Sequence, residues 1–147
     1  MTVAAPFQYR GGKSRIARWV AGHFPAHTYY IEPFLGSAAV LAAKRVARVE
    51  VVNDLDGDVV NFFRVLREHP DRLEQVCKLT PFARDEHRMA CETLADGSCG
   101  DVERARSFFV AMSQGFKPSK TNAGFTNTST TDGTPPSANQ ARGIRRF

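Results

Sequence analysis

Residues 14–67 alternate between helical and extended patterns, and that order restricts the fold more than any other feature of the chain. Residues 14–23 read as a helix with Ile16, Trp19, Val20 and nearby Phe24 on one side, stopped by Pro25. Tyr29, Tyr30 and Ile31 read as a short buried strand, aromatic and β-branched. A turn, Glu32-Pro33-Phe34-Leu35-Gly36-Ser37, breaks it, and residues 38–46 resume as helix. Val49-Glu50-Val51-Val52-Asn53 is the clearest second strand, ending in Asp54-Leu55-Asp56. A helix over 57–67 follows, with Val59, Phe62, Phe63 and Leu66 spaced i, i+3, i+4, i+7. Each crossover is long enough for a helix, so the expectation is an α/β fold with parallel strands.

From Pro70 the pattern changes. Residues 71–79 and 82–94 look helical, the second opened by Thr80 as cap and Pro81 in the first turn. Residues 101–114 form a strong helical stretch, with Ala105, Phe108, Phe109 and Met112 repeating the apolar stripe. Beyond Gly115 the chain is rich in Thr, Ser, Asn, Gly and Pro, with few apolar anchors. The expected division is therefore residues 1–69 as one unit and residues 70–147 as a helical segment with a basic loop.

Charge follows a different division. Residues 1–49 carry +6, residues 50–103 carry −7 and residues 104–147 carry +6, within a net charge of +5. Two basic ends suit a polyanion such as nucleic acid. Cys77, Cys91 and Cys99 lie 14 and 8 residues apart, and the four histidines are scattered. Reduced thiols therefore fit better than a disulfide framework or a zinc site. No apolar run approaches the roughly 18 residues of a membrane span. Met1-Thr2-Val3-Ala4-Ala5-Pro6 lacks the pattern of a signal peptide, so the cytoplasm is the expected compartment.

Two features point to a ligand. Gly36, in the turn after the first strand, lets a ligand approach the backbone, and the next helix start offers free N–H groups. Asp54, 18 residues later at the end of the second strand, is placed to accept hydrogen bonds from ribose hydroxyls. A turn glycine followed by a helix-capping aspartate is the plainer alternative. The Gly-x-Gly-x-x-Gly of dinucleotide folds is missing. A P-loop would need glycine where Phe7 stands, and no strand precedes it. S-adenosylmethionine has ribose and adenine without phosphate, so one close glycine and one acid suffice.

Three motifs then appear together: Pro6-Phe7-x-Tyr9-x-Gly11-Gly12-Lys13, Glu32-Pro33-Phe34-x-Gly36-Ser37 and Asn53-Asp54-x-Asp56. In type, order and spacing they resemble the DNA adenine methylase family, site-specific adenine-N6 methyltransferases that use S-adenosylmethionine. The resemblance covers residues 6–67 and, more loosely, Arg104 to Phe109, Gly115-Phe116 and Asn122-x-Gly124-Phe125. It implies a Rossmann-like methyltransferase sheet in which Tyr9 and Lys13 line the cofactor pocket. It also implies that Glu32, Pro33, Phe34 and Gly36 hold the methionine end and that Asp54 grips the ribose. An aromatic face suits a sulfonium or adenine, and an ammonium suits a carboxylate.

The same resemblance assigns residues 70–147 to target recognition on double-stranded DNA. Lys117, Lys120, Arg142, Arg145 and Arg146 are candidates for phosphates, and Asn122, Asn127 and Asn139 for base edges. Enzymes of this family present a flipped-out adenine to Asp-Pro-Pro-Tyr. The only Pro-Pro here, Pro135-Pro136, is flanked by Thr134 and Ser137, which supply neither carboxylate nor stacking face. No catalytic residue is therefore assigned, and the chain reads as an N-terminal fragment, marginally stable and inert alone. Its alternatives are a non-catalytic nucleic-acid-binding module and one half of a split enzyme, completed in trans by a C-terminal half.

Overall fold

The computed structural model describes residues 5–115, 124 and 125. Among them, two parallel strands and six helices follow in the order α1 (Ala17–Gly22), β1 (Tyr29–Glu32), α2 (Ala39–Ala43), β2 (Val49–Val52), α3 (Gly57–Glu68), α4 (Pro70–Leu79), α5 (Arg84–Asp96) and α6 (Asp101–Gln114). The strands pair in register from Tyr29 opposite Val49 to Glu32 opposite Val52. Beyond the ladder, Asn53 N–H donates to Glu32 O at 2.9 Å and Leu35 N–H to Asn53 O at 2.9 Å. The two C-terminal strand ends are thereby held side by side, as an α/β crevice requires.

One face of this sheet is covered. Tyr30 packs with Ala17 of α1 and with Ala39 and Val40 of α2, joined by Val20 and Phe24. Side chains alternate across a strand, so Tyr30 and Glu32 are buried while Tyr29 and Ile31 are exposed. The expectation of a buried first strand thus holds for one face only, and β2 is exposed at every position. Ile16 and Trp19 are also exposed, at 51% and 67%, instead of sharing the inward side expected of them. Ala17 takes the buried place, because α1 is only six residues long and starts after a turn.

α2 is likewise shorter than expected. It begins after Ala38, whose φ of 57° is left-handed, and stops where Lys44 turns extended. Lys44 there pairs with Glu50 and lies 4.2 Å from the Tyr30 ring centre.

The helical part is better packed. Asp56 caps α3 by accepting the Asp58 N–H at 3.0 Å, and Pro70 opens α4 where no helical donor is needed. Thr80 does not cap α5; its hydroxyl donates back to Val76 O at 2.7 Å, so α5 starts only at Arg84. Gly97, at φ 70°, closes α5 in the left-handed conformation glycine favours.

A single apolar cluster joins Phe62 and Val65 of α3, Leu73 and Cys77 of α4, Ala90 and Leu94 of α5, and Phe108 and Phe109 of α6. The cluster therefore runs across residues 69 and 70. Asp58 and Arg104 add an ion pair at 2.5 Å between α3 and α6. Arg106 joins α6 to Glu86 of α5 at 2.5 Å. Phe125 packs 5.2 Å from Phe82, centre to centre.

Phe7 connects this core to the N-terminal segment. It is 2% exposed and meets Phe62 and Phe108 edge-on at 4.9 and 5.0 Å. Burying one such ring contributes about 1.5–3 kcal/mol. The anchored ring carries Tyr9 along, 6.1 Å away. Lys117, Lys120, Asn122, Asn127, Asn139, Arg142, Arg145 and Arg146, and Pro135-Pro136, lie outside the described residues.

Candidate functional site

Three stretches distant in sequence meet at the C-terminal ends of the strands. Gly12 N–H donates to Tyr9 O at 2.8 Å, which folds residues 9–12 into a tight turn. A Cβ on Gly12 would stand 2.8 Å from that same carbonyl oxygen, so only glycine fits. Gly36 has φ 52°, and a Cβ there would lie 3.1 Å from Tyr9 Cδ1. The Tyr9 ring thus rests on the bare Cα of Gly36. Sequence places these residues 27 apart; the fold stacks them.

Asp54 ties the turn to the second strand. Its Oδ2 accepts the Gly36 N–H at 2.8 Å and its Oδ1 accepts the Asp56 N–H at 3.0 Å. Each carboxylate oxygen has a further lone pair, so Asp54 can hold the turn and still accept from a ligand hydroxyl. Helix capping, the plainer role considered for Asp54, belongs to Asp56.

Lys13 spans the other side. Its Nζ donates to Phe34 O at 3.4 Å and lies 4.0 Å from Glu32 Oε1. Glu32 is buried and accepts the Tyr30 hydroxyl at 2.8 Å. Burial, with that bond and the charge of Glu32, pushes the Tyr30 phenol far above its ordinary range. The phenol therefore stays a donor that keeps Glu32 in place. Lys13 is held over the buried carboxylate yet remains 40% exposed, able to meet an anionic ligand group.

These residues bound an open cleft of about 270 Å³. Tyr9, Lys13, Phe34, Gly36 and Asp54 line it, five of the seven cofactor candidates. Glu32 lies beneath, reaching the cleft through Lys13. Pro33 is absent from the lining; its carbonyl accepts from Asn53 Nδ2 at 3.5 Å. Arg10, Gly11, Gly12, Leu35, Ser37 and Ala39 also line the cleft but are not among the candidates. Arg10 stands inside the Tyr9 to Lys13 motif, which was the available signal. The helix start foreseen as a source of N–H donors is modest, since α2 has five residues.

The cleft offers two aromatic side chains, two cations, one carboxylate and glycines that admit close approach. Such a surface suits a ligand with a flat ring, vicinal hydroxyls and an anionic end. It holds no cysteine or histidine. Burial pushes the Cys77 thiol up to about 12, so that sulfur is inert at neutral pH. Among the described residues no group of three or more His, Cys, Asp or Glu side chains is arranged to hold a metal. No helix among them is long and apolar enough to cross a membrane.

Two parallel strands with flanking helices, a glycine turn and an acid at neighbouring strand ends make this an α/β protein of partial Rossmann-like form. The chain belongs to the D12 class N6 adenine-specific DNA methyltransferases, whose family model matches residues 9–91. That family acts on DNA and uses S-adenosylmethionine. None of the curated proteins compared with the chain matches it.

Proposed function

We propose that the cleft binds S-adenosylmethionine and that the chain is the cofactor-binding part of a site-specific adenine-N6 DNA methyltransferase. The observation that carries this reading is the convergence of Tyr9, Lys13, Phe34, Gly36 and Asp54 on one cleft. Tyr9 offers its face to the adenine or the sulfonium, and Lys13 pairs with the methionine carboxylate. Phe34, 75% exposed, covers the ligand from the rim, and Asp54 accepts from the ribose. Glu32 and Pro33 act from behind, one by fixing Lys13 and the other by tying the turn to Asn53. The cofactor supplies an electrophilic methyl group; these residues bind and orient it.

Methyl transfer itself needs an acceptor for the adenine amino group, and the Asp-Pro-Pro-Tyr that serves in this family is missing from the sequence. Residues 1–69 therefore serve the cofactor. Residues 70–147, with Lys117, Lys120, Asn122, Arg142, Arg145 and Arg146, serve double-stranded DNA. A portion carrying the tetrad, continuous with this one or supplied in trans, would complete the enzyme. That addition is favoured by the exposed apolar rows Tyr29 with Val49 and Ile31 with Val51, since parallel sheets are ordinarily covered on both faces.

Isothermal titration of the purified chain with S-adenosylmethionine tests the reading. Saturable one-to-one binding is expected, with no methyl transfer to unmethylated duplex DNA. Absence of binding to folded protein would overturn the cofactor assignment, and methyl transfer by these residues alone would overturn their dependence on a tetrad-bearing portion.

A further inference from the structure

A second concavity lies at the opposite end of the strands. It measures about 620 Å³ and is lined by residues preceding β1 and following α2, among them Arg18, Phe24, His27, Lys44, Arg45 and Val46. Strands of four residues rise about 13 Å, which separates this groove from the cofactor cleft.

Two exposed arginines line it, Arg18 and Arg45. In the helical part, Arg64, Arg67, Arg88, Arg104 and Arg106 each pair with a carboxylate, while Arg72 bonds Gln75 and Arg84 lies over the Phe125 ring. Neither Arg18 nor Arg45 has a carboxylate partner among the described residues. The one acid in residues 1–49 is Glu32, buried beneath the other end of the sheet. Glu50 is the nearest acid in sequence, and Lys44 neutralises it. This face therefore carries an uncompensated positive field.

Its positive groups are arginines rather than lysines, apart from the paired Lys44. A guanidinium presents a planar fork of donors that matches phosphate oxygens. Phe24 and His27 pack edge-on at 5.9 Å within the groove, giving it firm walls. Lys44, held by Glu50 and Tyr30, fixes its floor.

We infer that this groove is a second DNA contact, holding the phosphate backbone of a duplex segment outside the stretch offered to the cofactor cleft. The inference rests on the reading of the chain as DNA-acting, and it assigns a phosphate-binding role to Arg18 and Arg45.

The test is fluorescence anisotropy of a labelled 24-base-pair unmethylated duplex, titrated with the full chain over a range of salt concentrations. The variant is Arg18→Gln with Arg45→Gln. Arg67→Gln with Arg88→Gln, equal in charge change, is the control. Loss of two phosphate contacts should flatten the slope of log affinity against log salt by about 1.8, at about 0.9 per contact. The control should keep the wild-type slope, and the groove variant should bind S-adenosylmethionine as the wild type does. An unchanged slope, an equal change in the control, or no DNA binding by the wild type would each overturn the inference. So would a variant that alters only self-association, which would make the groove a contact between copies. Wild-type protein that binds DNA through Arg18 and Arg45 but takes up no S-adenosylmethionine would leave the groove standing and sink the cofactor reading.

Discussion

Replacing Asp54 by alanine removes two acceptors at once, and the two consequences can be measured separately. Its carboxylate accepts from Gly36 N–H at 2.8 Å and from Asp56 N–H at 3.0 Å. Hydrogen bonds to a charged group contribute about 1.5–3 kcal/mol each. The site is half-buried, so water replaces part of what is lost, and a total below the two-bond sum, about 2–3 kcal/mol, is expected. Urea unfolding followed by circular dichroism should show this loss in stability. Asp54→Asn keeps one carbonyl acceptor and should lose roughly half as much. On protein confirmed folded, cofactor affinity should fall by about 1–3 kcal/mol, or roughly 5- to 150-fold. Wild-type stability in Asp54→Ala would refute the turn-holding role. Wild-type affinity would refute the ribose role.

Other perturbations probe neighbouring parts. Gly36→Ala forces a left-handed alanine and a Cβ 3.1 Å from the Tyr9 ring, so stability should drop by about 1–2 kcal/mol in urea, with weaker cofactor binding. Asp58→Ala leaves Arg104, itself about a third exposed, without its buried partner. A loss of about 2–3 kcal/mol is expected in the same unfolding assay, below the range for a fully buried pair. Burial holds the His87 imidazole below its ordinary value, opposed by a backbone hydrogen bond at Ala111. The unfolded chain then binds more protons than the folded one, so stability is complete above about pH 6.5 and declines as pH falls toward the lowered folded value. Unfolding measured from pH 8 to 5 should show that decline, and His87→Gln should flatten it.

Much of this architecture is legible in the residues, for reasons that differ between elements. The helices over 57–68 and 101–114 bury a wide apolar stripe, and the recurrence of Val59, Phe62, Phe63 and Leu66 or of Ala105, Phe108, Phe109 and Met112 reports it directly. Periodicity does not say which side of an element will be covered. Ile16 and Trp19 look inward on a helical projection but are exposed, because a six-residue α1 meets the sheet through Ala17. Tyr29 and Ile31 look like core residues, yet among the described residues α1 and α2 cover the opposite face. Thr80-Pro81 has the composition of a helix start; the Thr80 hydroxyl instead bonds backward to Val76.

In the candidate site, residue types revealed the glycine turn and the strand-end acid but not their mutual contact. That Asp54 holds the Gly36 amide, and that Tyr9 lies against Gly36, depends on two backbones crossing in space. The contacts from Tyr30 through the buried Glu32 to Lys13 are likewise invisible in the sequence, since one strand's alternation must be combined with a remote amine.

The cofactor assignment stands or falls on where the methyl donor sits. A crystal structure of the chain soaked or co-crystallised with S-adenosylmethionine should show the ligand in the cleft of Tyr9, Lys13, Phe34, Gly36 and Asp54. Its carboxylate should meet Lys13 and its ribose should meet Asp54. Density for the ligand anywhere else on the molecule, with that cleft empty, would contradict it.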